Sequence, residues 1–273
     1  MGFGSWRWFW RCFPPVAQCD DTRPLSFLPI VRLLMGDVME SGNDAHRQRL
    51  SGYKRIAEDA VWVVLQPVVL FASAGRMDVP RVWLLLAVSL GCLFVGGLVV
   101  VWVSPEVIDQ RGERKQGTKW WDKLFLLAYA CTAFSLVVVA GLDVGRLKGP
   151  GMNGHVAALG VVTHVCAAAL FAWAMVTNPH FEMTVRIQTE RGHRVIATGP
   201  YEIVRHPGYV AGALLSVSVP LIVGSAHGLI PAGGIVFLYL VRAELEDRTL
   251  RRELDGFQAY ADKVRYRMLP FAW

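Results

Sequence analysis

From His206 to Val241 the sequence runs without a single Asp, Glu, Lys or Arg. Water rarely tolerates so long an apolar stretch, and a bilayer requires one of this kind. The stretch is too long for one helix across ~30 Å of hydrocarbon. Pro220, Gly224, Gly228 and Pro231 interrupt it around Ser225-Ala226-His227. The breaks predict a tight helical hairpin with arms Tyr209–Val223 and Leu229–Val241. Four more uncharged runs precede it: Ala60–Gly75, Val82–Val103, Leu124–Leu142 and Val156–Thr177. The fold class read from this pattern is an all-α membrane protein of about six transmembrane helices. The last two form the hairpin, and a cytoplasmic amphipathic helix follows.

Composition agrees. Hydrophobic residues make up 53% of the 273 and charged residues 18%, against ~25% charged in an ordinary soluble domain. A soluble enzyme, a disordered chain and a disulfide-stapled secreted domain are disfavoured. The five cysteines have no C-x-x-C spacing and three lie in apolar runs. They read as small buried hydrophobes, and no metal site is expected.

The basic residues set an orientation. Eight Lys and Arg precede the first run, and Arg76 and Arg81 follow it. The next connection has Arg111, Arg114, Lys115, Lys119 and Lys123, and the one after it Arg146 and Lys148. Then come Arg186, Arg191, Arg194 and Arg205, no basic residue at the hairpin tip, and seven in the tail. High and low counts alternate, which places both termini in the cytoplasm. The net charge of +6 then faces anionic headgroups, so no nucleic-acid partner is expected. The chain divides into residues 1–58, a cytoplasmic segment; 59–177, four membrane helices; and 178–273, a C-terminal region containing the hairpin 209–241. In the first segment Trp6, Trp8 and Trp10 suit an interfacial arm, and Met35 or Met39 is an alternative start.

The hairpin leaves and re-enters one face, so Gly199–Tyr209 and Arg242–Glu253 must lie close together. Polar groups at the edge of an apolar bundle are where a membrane enzyme keeps a site. In the first segment, Gly199-Pro200-Tyr201 gives a turn and His206-Pro207 a second break, with Pro207 in the first turn of the hairpin helix. Arg205 and His206 at that helix start suit an anionic group; a plain helix-entry cap is the alternative. In the second, Glu246 and Asp247 are adjacent carboxylates near the Arg-His corner. They can accept hydrogen bonds from ribose hydroxyls or an ammonium group, although Arg242 and Glu246 at i,i+4 can also simply pair. Glu182 and Arg186 line a cytoplasmic pocket or a solvated loop. Gly149-Pro-Gly151-Met-Asn-Gly154 fits G-x-G-x-x-G, but no strand precedes it and it reads as chance. His164 reads as a satisfied core histidine.

The order Gly199-Pro-Tyr201, Arg205-His206-Pro207-x-Tyr209, hairpin, Glu246-Asp247-Arg248-x-Leu250, Tyr260 and a basic tail ending in Leu269-Pro270 resembles the isoprenylcysteine carboxyl methyltransferase family. Related membrane methyltransferases of phospholipid amines share it. The resemblance covers roughly Phe181–Trp273. It implies a membrane enzyme using S-adenosylmethionine, with a lipophilic small-molecule or lipid acceptor entering from the bilayer. Carried over by position, Gly199, Pro200, Tyr201, His206, Pro207 and Tyr209 form one wall of the cofactor site, and Glu246 and Asp247 the other. Asp247 stands where that family often has Glu. Arg205 and Glu246 are the implied catalytic pair, Arg205 holding an anionic group on cofactor or substrate. Two other readings remain at this point. Sterol reductases using NADPH have a similar C-terminal half, with Asn expected where this chain has Pro207. A transporter or non-catalytic scaffold is the other, against which the central helices carry no Asp, Glu, Lys or Arg as a coupling group.

Overall fold

The computed structural model describes residues 60–103, 118–147, 149, 151–182, 184–189 and 192–270. The readings of the interfacial arm and the alternative start lie outside them. The described residues form seven α-helices and no strand. Helix α1 spans Ala60–Ala74, α2 Pro80–Val103, α3 Trp120–Leu142 and α4 Gly154–Thr177. The hairpin arms are α5, Pro207–Val223, and α6, Leu229–Glu253. A short α7, Phe257–Lys263, closes the chain.

Helices α2, α4 and α3 with its π-helical extension to Leu147 are long and apolar enough to cross a membrane. At 24 residues, α2 rises ~36 Å. Its outer face leaves Phe94 and Trp102 69% and 76% exposed. Such a surface is a liability in water and ordinary against lipid. The chain therefore has the build of an integral membrane protein. α1 and α5 are apolar but shorter.

α5 starts at Pro207, in the first turn where the sequence placed that proline, since proline fits a first helical turn whose N–H groups lack partners anyway. One feature departs from the expected boundaries. The second arm does not end at Val241: α6 continues without a break to Glu253. The expected separate amphipathic helix is thus the outer half of α6, followed by α7.

The bundle core joins Leu70, Leu85, Leu136, Val219, Ile222 and Ile235 from five helices. α4 and α5 approach closely at Gly160, where a Cβ would meet the Ile222 backbone nitrogen at 2.8 Å. At the hairpin turn Gly224 takes φ 90° as the left-handed C-cap, a conformation that favours glycine. Ser225 Oγ donates to Asp143 at 2.6 Å and accepts from Gly228 N–H at 2.9 Å. His164 stands mid-bundle between Ser218, 2.8 Å from Nδ1, and Ser89, 3.3 Å from Nε2. Ser218 spends its own proton on Leu215 O, so Nδ1 donates to it and Nε2 accepts from Ser89. This is the satisfied core histidine of the sequence reading.

Candidate functional site

The cytoplasmic ends implied by the charge pattern carry a polar cleft. Its roof is the irregular stretch between α4 and the 3-10 turn Gly199–Glu202. Its floor is the start of α5 and the outer half of α6. The two motif segments meet here, about forty residues apart in sequence, because the hairpin returns the chain to its starting end.

The centre of the meeting is Asp247, 1% exposed. Its Oδ1 accepts from Arg205 Nε at 2.8 Å and its Oδ2 from Arg205 Nη2 at 2.9 Å. This is the bidentate fork that guanidinium and carboxylate form best. His206 Nε2 lies 3.3 Å from Oδ1, and Arg251 and Arg267 each stand 3.4 Å from Oδ2. Burial pushes the Asp247 carboxyl up, but the His206 and Arg205 hydrogen bonds and their charge outweigh it. The net effect holds the carboxyl well below its usual range.

Arg205 also fastens the tail. Its Nη1 donates to Val264 O at 2.6 Å and Arg265 O at 2.9 Å. The backbone N–H groups of Arg205 and His206 donate to Tyr266 O and Arg267 O, both at 2.9 Å. The sequence reading gave Arg205 an anion on cofactor or substrate. In the structure its guanidinium is buried against Asp247 and the tail carbonyls, so it organises the corner from within.

Glu246 points the other way. Adjacent helical residues lie ~100° apart, so the acidic pair cannot share one face. The Glu246 side chain is 21% exposed and accepts a hydrogen bond from the Tyr209 hydroxyl. The Tyr209 ring stacks on His206 at 5.3 Å between centroids, with an interplanar angle of 6°.

Of the residues read from sequence, Tyr201, Arg205, His206, Tyr209 and Glu246 line the cleft. Gly199, Pro200, Pro207 and Asp247 stand behind that wall. Gly199 takes φ 59°, and a Cβ there would come within 3.2 Å of Thr177 and Trp173. It shapes the turn and presents no group to a ligand. Tyr201 is 7% exposed; its carbonyl accepts from Tyr260 at 2.7 Å. Burial pushes both phenols above the usual tyrosine range, so they are neutral hydrogen-bonding groups. Glu182 and Arg186, left open in the sequence, both line the cleft and form a fork with two contacts of 2.8 Å.

Sequence reasoning missed Asp122, which is fully buried at the start of α3. It lies 2.9 Å from Arg242 Nη2 and accepts from Val185 N–H at 2.9 Å. The reading that Arg242 simply pairs with Glu246 left out this partner across the bundle.

The cleft encloses about 120 Å³, below the ~300–1,000 Å³ usual for a small-molecule site. A nucleoside-sized occupant needs more room than the cleft encloses here. The groups present suit such a ligand: a reachable carboxylate for hydroxyl or ammonium donors, and the Phe181 and Tyr201 rings beside it. Among the described residues no group of His, Cys, Asp and Glu is placed to hold a metal ion.

The fold is thus an apolar helical bundle with a polar cleft at one end, walled by its own hairpin. Residues 158–252 match the model of the isoprenylcysteine carboxyl methyltransferase (ICMT) family, the family whose motifs the sequence resembles. The match runs from within α4 to within α6, and so includes both halves of the cleft but none of α1–α3. No individually curated protein matches the chain.

Proposed function

We propose that the chain is a multi-pass membrane methyltransferase that uses S-adenosylmethionine and methylates a lipophilic acceptor at the cytoplasmic face. The observation that carries this reading is the Glu246–Tyr209–His206 wall, which lies inside the segment matching the methyltransferase family. Six membrane crossings with both termini cytoplasmic follow from the charge alternation. That reading is supported by the segregation of contacts. Arg81–Met152 and Asp143–His227 gather at one end of the bundle, and Lys119–Glu253 and Arg205–Asp247 at the other.

When bound, S-adenosylmethionine supplies a methyl group on a positively charged sulfur. Glu246 accepts hydrogen bonds from ribose hydroxyls or an ammonium, with its carboxylate aimed by Tyr209. His206 lines the same wall and backs the Tyr209 ring by stacking on it. Phe181, Leu250, Leu254 and Phe257 line the cleft with apolar surface and exclude water, so catalysis is mostly positioning and desolvation. A carboxylate acceptor arrives as its own nucleophile. An amine must arrive neutral, and Glu246 is the group placed to hold the proton it sheds. Asp247 and Arg205 keep the floor rigid and the tail docked.

The test is methyl transfer into lipid. Membranes containing the protein are incubated with methyl-labelled S-adenosylmethionine and extracted with organic solvent. Label should enter the extract well above that of membranes lacking the protein, and Glu246→Gln should abolish the difference. Label released by mild base as volatile methanol identifies a methyl ester and hence a carboxylate acceptor; label that stays non-volatile after base identifies an amine. No labelled lipid from folded protein, with phosphatidylethanolamine and a farnesylcysteine analogue both supplied, would contradict the reading.

A further inference from the structure

Asp122 lies outside the segment that matches the family, yet it contacts both the roof of the cleft, at Val185, and Arg242 on α6. Its side chain is fully buried in the first turn of α3. One carboxylate oxygen takes the Val185 N–H at 2.9 Å, and so pins the cleft's irregular roof to the bundle. The other lies 2.9 Å from Arg242 Nη2 on α6. The Arg242 guanidinium is 4.3 Å from the Phe125 ring centre and 5.2 Å from that of Tyr209. Tyr209 in turn donates to Glu246. A continuous line of contacts thus runs from Asp122 to the acidic group of the cleft.

A buried ion pair is weak evidence of stability, because an apolar pair of like volume often does as well. What the pair fixes is where the Arg242 charge rests. Arg242 and Glu246 are four residues apart on one helix, the spacing at which Arg and Glu attract. With Asp122 in place, the guanidinium is held over the Phe125 and Tyr209 rings. With Asp122 gone, the carboxylate that still attracts Arg242 is Glu246, four residues on along its own helix, and closer pairing there takes Glu246 from Tyr209.

We propose that Asp122 is a positioning residue for the candidate site. It holds Arg242 on Phe125 and Tyr209, and anchors the roof at Val185, so that Glu246 stays on Tyr209 and faces the cleft. The binding readout of this proposal rests on the cofactor reading above; its structural readout does not.

The experiment compares wild type with Asp122→Asn in detergent, using calorimetric binding of S-adenosylhomocysteine and amide hydrogen exchange. The Asn variant should bind at least tenfold more weakly, a change of ~1.4 kcal/mol or more. Exchange should quicken in the peptides covering residues 184–189 and 199–210. The double variant Asp122→Asn with Arg242→Met should bind within about threefold of wild type, because no stranded cation remains to capture Glu246. A variant that melts earlier but binds as wild type does would overturn the proposal, leaving Asp122 a packing residue. Should the Asn variant not fold, Arg242→Lys keeps the charge but loses the broad guanidinium that reaches Asp122 and the two rings together, which frees the cation to draw Glu246 from Tyr209. It should bind at least tenfold more weakly, and wild-type affinity there would overturn the proposal. If wild type itself does not bind S-adenosylhomocysteine, the cofactor reading fails and hydrogen exchange alone decides. Faster exchange at 199–210 in the variant then supports the positioning role, and unchanged exchange contradicts it.

Discussion

Asp247→Ala should cost the folded protein about 3–5 kcal/mol, the usual penalty for stranding one member of a buried pair. The mechanism is the loss of compensation, not of attraction. Arg205 is 5% exposed and cannot turn to water without releasing its hydrogen bonds to Val264 O and Arg265 O. The tail from Val264 to Arg267 should therefore come loose along with the corner. The measurement is thermal unfolding in detergent, where a loss of this size lowers the midpoint by roughly 10 °C. Removing both partners, Arg205→Met with Asp247→Leu, should recover much of the loss, because neither charge is then left buried.

The pH dependence has a definite sign. The Asp247 carboxyl is held below its unfolded value, so the stability it adds is fully present above that value, ~3.9. It is lost as pH falls from there toward the folded value. This contribution is flat between neutral pH and about 5, and a steep acid limb should appear below about 4. The double variant should lack that limb.

Glu246→Gln is the second large effect, and it falls on binding and methyl transfer rather than on stability. The Gln oxygen still accepts from Tyr209 and the volume is unchanged, but the charge is gone. Hydrogen bonds to a charged group contribute about 1.5–3 kcal/mol, so S-adenosylhomocysteine should bind roughly ten- to hundredfold more weakly. The side chain is 21% exposed, and the unfolding midpoint should hardly move. Binding at wild-type strength would place the ligand elsewhere. The pair of neighbours thus separates two roles, with Asp247 governing stability and Glu246 governing occupancy.

That separation marks what the sequence could and could not disclose. Apolar runs and breakers located α1 to α5 and the start of α6 closely, because length and charge exclusion act along the chain. The Arg205-His206-Pro207 corner and the Glu246-Asp247 pair were placed together for the same reason. Which neighbour each charge chooses is a different matter. Adjacent carboxylates look alike in sequence, but helical geometry sends one inward and the other to the cleft. Gly199, Pro200 and Pro207 read as a wall because motif order carries no depth; they shape its turns from behind. Asp122 was invisible, since a charge between Lys119 and Lys123 looks like any helix entry near water. Its partner lies 120 positions on, and nothing local announces it.

The most direct measurement is calorimetric titration of the detergent-purified protein with S-adenosylhomocysteine and, separately, with NADPH. Micromolar binding of S-adenosylhomocysteine, with no heat from NADPH, is the predicted result. NADPH binding without S-adenosylhomocysteine would contradict it and move the chain to reductase chemistry. Silence for both, in a sample shown to be folded, would contradict it as well and leave a scaffold without a cofactor.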